Sequence, residues 1–137
     1  MGAVDRVAAL TSTRAPEDAS PWRDVVTSPN DVAKLYRHIP GMPGGDLVTE
    51  ALRAVLATAA DGFDQVFSLL APGVDAYAEQ GWTWYLPADL YPHSAGVVPD
   101  RYVVVVLSVQ RGVDERTVKN RVAAVTSASV SGMAPAG

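Results

Sequence analysis

The run Tyr-Val-Val-Val-Val-Leu-Ser-Val at residues 102–109 limits most what this chain can become. β-Branched side chains are stiff at χ1 and suit a pleated, covered surface better than a helix. An apolar run without polar alternation predicts a strand covered on both faces, so packing layers must come from elsewhere in the chain. Pro99-Asp100, immediately upstream, is turn chemistry, because Pro presets φ and Asp can bond its own backbone. That leaves HSAGVV, residues 93–98, as a strand joined to the valine run by a tight hairpin. Farther upstream, residues 81–85 are aromatic and β-prone, with Trp82, Trp84 and Tyr85 around Thr83. Pro87 and Pro92 interrupt the chain between that strand and the next. The expectation is a three-stranded antiparallel β-meander.

The flanking sequence predicts helices to cover it. Residues 27–39, TSPNDVAKLYRHI, place Ser28 at the N-cap, Pro29 at N1 and Asp31 in the first turn, where free amides and the dipole favour them. Val32, Leu35, Tyr36 and Ile39 then recur at helical spacing on one face, and Pro40-Gly41 ends the helix. Residues 46–60 predict a second helix whose wide apolar stripe (Leu47, Val48, Ala51, Leu52, Val55, Leu56, Ala59) implies burial. Gly62 stops it, and Phe63, Val66, Phe67, Leu69 and Leu70 form an apolar connection to Pro72-Gly73. Residues 114–128 predict a last helix with Val118, Val122 and Val125 on one side, and residues 129–137 a flexible tail. At the start, residues 2–10 predict a short helix, followed by a loop that Trp22 anchors. The fold class is α+β: an antiparallel meander packed with a C-terminal helix and the preceding helices.

With 137 residues, the chain is one domain by size, numbered 1–137. A net charge of −4 and eleven scattered basic residues, none adjacent to another, argue against nucleic acid, which needs clustered cations. Zero cysteines exclude disulfides and thiolate metal sites. No stretch reaches the ~18 apolar residues of a membrane span. Asp5 and Arg6 interrupt the apolar N-terminus, which argues against a signal peptide. The expected compartment is therefore the cytoplasm, or the cell envelope if these residues belong to a longer precursor.

From Thr27 onward, the order of elements resembles the C-terminal half of the penicillin-recognising serine hydrolases, the β-lactamase and D,D-peptidase superfamily. In that family a capped helix and further helices precede a K-T/S-G strand, a two-stranded hairpin and a long final helix. TSPNDVAKLYRHI matches the capped helix, Glu79-Gln80-Gly81 occupies the K-T/S-G position, HSAGVV and RYVVVVLSVQ match the hairpin, and DERTVKNRVAAVTSA matches the last helix. About 100 of the 137 residues are covered. The resemblance implies substrate binding along the strand Glu79, Gln80, Gly81 and Trp82, with the Trp82 N–H as an oxyanion-hole donor and a peptidoglycan-like or β-lactam ligand. It implies no cofactor.

The departures from the family are chemical. The family's nucleophile lies in S-x-x-K, yet none of Ser12, Ser20, Ser28, Ser68, Ser94, Ser108, Ser127, Ser129 and Ser131 has Lys three residues on. No S-D-N or Y-x-N motif is present, Tyr36-Arg37-His38 being the nearest approach. Glu79 stands where the family has Lys and reverses the charge that helps hold a substrate carboxylate. The expectation is a β-lactamase-like, partial domain with no catalytic residue, inactive as a hydrolase by itself. The alternative is a stand-alone binding or oligomerising module. Lacking the family's first half would leave a sheet edge open to pair with a second copy as a homodimer.

Other constellations read as structural. His93 and Ser94 are neighbours in a strand and point to opposite faces, which excludes a dyad between them. A metal site would need His38 and His93 to converge with Asp31 or Asp89, and none is expected. Asp61-Gly62-Phe63-Asp64 is too short for a calcium loop. The aromatic cluster at 82–85 reads as core or interface packing ahead of a ligand platform, and Glu79 as a solvated edge carboxylate ahead of a functional one.

Overall fold

The structure, a computed structural model, describes residues 27–86 and 89–132. The expected helix at 2–10, the Trp22 anchor and residues 133–137 of the tail lie outside those residues. Ser28 caps α1 (Pro29–His38) by accepting the Asp31 amide at 3.2 Å. A 3-10 turn (Ile39–Gly41) leads to α2 (Gly45–Arg53), and a second one (Ser68–Leu70) precedes the sheet. The strands are β1 (Tyr77–Gly81), β2 (Trp84–Leu86), β3 (Asp89–Leu90), β4 (His93–Val98), β5 (Tyr102–Leu107) and β6 (Gln110–Arg111), followed by α3 (Glu115–Gly132).

The fold is α+β. Its main sheet is antiparallel, in the order β1-β4-β5, and β2, β3 and β6 form a second small sheet. Side chains alternate across the main sheet as the two-residue period requires. Tyr77, Ala95, Val97 and Val103 face α1 and α2 and pack on Tyr36, Ile39 and Leu52. Ala78, Val98 and Val104 face the opposite way and meet Leu69, with Val130 of α3 packed against them. Phe67, Leu90, Val118 and Val122 extend this second layer under the small sheet. Phe67 and Leu69 are almost wholly buried, each contributing about 2–3 kcal/mol of transfer free energy. The result is helix on both faces of a three-stranded sheet.

Several expectations need correction. The first strand of the main sheet is 77–81, where 81–85 was expected, because pairing with β4 runs from Tyr77↔Val97 to Gly81↔His93. The aromatic residues that follow go partly into the small sheet. Its polar sequence hides β1: Gln80 faces the core and is accommodated by donating to the Phe67 carbonyl at 2.7 Å. The valine run does have layers on both faces, but β5 is an outer strand, so most of its side chains are only half-buried, Val104 being the buried one. The second helix stops at Arg53 rather than residue 60. The Leu56 and Ala57 carbonyls accept from the Gln65 side chain and backbone, and the Ala59 amide donates to the Phe63 carbonyl. Those backbone groups therefore serve a turn instead of a helix. The expected burial of its stripe holds at Leu52 and fails at Leu47 and Leu56, 72% and 71% exposed. At the other end, α3 continues through residues 129–132. Ser129 Oγ bonds the Val125 carbonyl, and the Tyr102 hydroxyl donates to the Val130 carbonyl at 2.8 Å, tying the last turn to β5.

Candidate functional site

A groove of about 820 Å³ runs beside β1, lined on one side by Glu79, Gln80, Gly81, Trp82, Thr83 and Trp84 and on the other by Ala59, Ala60 and Asp61. The four residues singled out from the sequence, Glu79 to Trp82, thus share one wall. The opposite rim is a turn that Gly62 permits with φ 88°. Asp61 shapes it by accepting the Phe63 amide at 3.0 Å and the Trp82 indole N–H at 3.3 Å. Trp82 stacks on Phe63, with centroids 4.4 Å apart and planes 6° from parallel. The Lys119 ammonium sits over the other partner of that pair, 4.4 Å from the Phe63 ring centre, and pairs with Asp64 and Glu115 at 3.2 and 2.7 Å. α3 thereby anchors the rim that faces β1. Trp84 is 47% exposed at the end of the groove.

Each β1 residue does something different. Glu79 is exposed, with its carboxyl near enough to the groove wall for desolvation to raise its pKa above the usual carboxylate value. The buried Tyr36 phenol lies beneath it, pushed up to about 12 by burial and by the Glu79 charge, against a Glu79 backbone hydrogen bond that lowers it. Gln80 is buried and holds the strand to the Phe67 carbonyl, but its Oε1 has no partner among the described residues. Its cross-strand neighbour Ser94 is also buried, and Oγ there likewise has none. Gly81 is not required by its neighbours: a Cβ there would meet His93 Cβ at an ordinary 3.7 Å. Gly96 is the contrast, since a Cβ there would collide with the Tyr77 carbonyl and stand 2.6 Å from Ala78 Cβ.

His93 and Ser94 occupy opposite faces of β4. His93 Nδ1 accepts the Ser108 amide at 3.1 Å, so its proton sits on Nε2, and burial lowers its pKa. Ser94 is sealed in the second layer. His38 is exposed at the end of α1, and Asp89 pairs with Arg111 at 3.7 Å. Among the described residues, no group of three His, Cys, Asp or Glu side chains converges to hold a metal, and no helix is long and apolar enough to cross a membrane. The sequence reading missed the Ala59–Ala60–Asp61 rim and Tyr36 beneath Glu79. Asp61-Gly62, a turn dipeptide, was the one local sign of the rim.

No family model, curated protein or solved structure matches the chain.

Proposed function

We propose that this chain is the ligand-binding half of a β-lactamase/D,D-peptidase-like domain, able to bind along β1 and unable to hydrolyse. The observation that carries the reading is the groove whose wall is Glu79-Gln80-Gly81-Trp82, the segment at the K-T/S-G position. Two further features support it. Among the described residues β1 is an outer strand of the sheet, which leaves backbone donors and acceptors for an extended ligand such as a peptidoglycan-like stem. Gly81 keeps the wall open although its packing would accept a methyl group. Chemistry is missing in the same place: among the described residues no serine or lysine lines the groove, and no S-x-x-K exists in the sequence. Incubation with a fluorescent penicillin or a fluorophosphonate, read by intact mass, should leave the chain unlabelled. Acylation of any serine would overturn the reading.

A second reading, self-association, rests on a different observation. Among the described residues β5 is the other outer strand, and Leu47 and Leu56 are exposed, which suits pairing of two copies edge to edge. The mass in solution tests it: a dimer lost on Val105→Pro supports that reading, and a monomer at all concentrations rejects it.

A further inference from the structure

We propose that the groove beside β1 receives an extended peptide through a basic residue, its cation held between the Glu79 carboxylate and the Trp84 indole. The inference rests on the reading of this groove as a strand-edge binding site and adds the charge of what enters it.

The lining sets the sign. Among the described residues it contains two carboxylates, Glu79 and Asp61, and no Lys, Arg or His. Among the described residues Asp61 is bonded to neutral donors, the Phe63 amide and the Trp82 indole N–H, neither of which cancels its charge. Glu79 has no cationic partner among the described residues. The nearby guanidinium, Arg53, is instead stacked over Tyr77, 4.5 Å from the ring centre, and is not part of the groove. Desolvation raises the Glu79 pKa, so its charged form lacks compensation that a ligand cation would provide. The aromatic residues add the second half of the recognition. Trp82 is committed to Phe63 by stacking, whereas Trp84 is 47% exposed, and an indole left open to the groove is the group that attracts ammonium and guanidinium cations. A ligand carboxylate would meet two like charges here and be rejected.

β1 contributes direction. Among the described residues β1 is an outer strand, so apart from the Glu79 backbone, which bonds the Tyr36 phenol, it leaves amides and carbonyls without a strand partner on its open side. An extended peptide added there would place alternate side chains toward Glu79.

The test compares three acetylated, amidated peptides, Ala-Val-Lys-Val-Ala and its versions with Gln or Glu at the centre, titrated against the full chain by tryptophan fluorescence and calorimetry. The Lys peptide should bind roughly tenfold tighter than the Gln peptide, and the Glu peptide weaker still. Glu79→Lys should reverse that order, with its melting temperature recorded to show that the chain still folds. Glu79→Gln, the milder variant, should remove the preference for Lys over Gln. Equal binding of all three peptides would overturn the charge inference and leave the groove reading standing. Failure of all three to bind would overturn both.

Discussion

The buried hydroxyl pair between the second 3-10 turn and α3 allows a sharp energetic prediction. Thr126 Oγ1 donates to the Val122 carbonyl at 2.9 Å, and Ser68 Oγ lies 2.6 Å from the same oxygen. Thr126 has one hydroxyl proton and spends it on Val122, so Ser68 must be the donor in the pair. Both residues are buried to about 1% exposure or less. Thr126→Val preserves shape, yet strands the Ser68 hydroxyl in an apolar layer, a loss of about 1–3 kcal/mol. For a chain of 137 residues that is a fall of roughly 4–12 °C in melting temperature. Ser68→Ala in the Thr126→Val background removes the stranded group, so the double variant should recover part of the loss and give a coupling of about 1 kcal/mol. Ser94→Ala is the internal control. Its Oγ is equally buried but has no partner among the described residues, so its removal should be neutral or stabilising by up to about 1 kcal/mol. Urea unfolding followed by circular dichroism measures these three variants and the Ser68→Ala single that the coupling requires. If Ser94→Ala costs as much as Thr126→Val, the reasoning is wrong, because an unsatisfied hydroxyl cannot be worth a satisfied one.

The two glycines facing β1 and β4 should separate folding from binding. Gly96→Ala should cost about 1–3 kcal/mol by overpacking, since the new methyl would stand 2.6 Å from Ala78 Cβ. Gly81→Ala should stay within about 0.5 kcal/mol in stability while weakening peptide binding, as measured by the same unfolding and titration assays. Glu79→Gln should raise stability at neutral pH. Desolvation raises the folded carboxyl pKa, so the stability this group contributes is present below its unfolded value, about 4.3, and is lost as pH rises through the folded value. The gain should therefore vanish in melts taken below about pH 4, and a constant gain at all pH values would contradict it.

The strand-forming valines, the Pro99-Asp100 turn and the capped start of α1 are local chemistry, and residue order alone determined them. Each depends on neighbours a few positions away: β-branching, a preset φ, or a side chain reaching an amide three residues on. The α+β class was legible in the same way. Only the tertiary structure decided the rest. Gln80 reads as a surface residue until the Phe67 carbonyl, thirteen residues away, supplies the bond that lets it face the core. Residues 54–60 have a helix-like pattern until Gln65 and Phe63 take their backbone groups. Leu47 and Leu56 read as core because periodicity specifies which residues share a face, without specifying what covers it. The groove needed the Asp61 turn brought across to β1 by the Trp82 and Phe63 stack. Hydrophobic pattern is recorded along the chain, whereas the partner of a buried polar group and the far wall of a groove come from distant segments meeting in space.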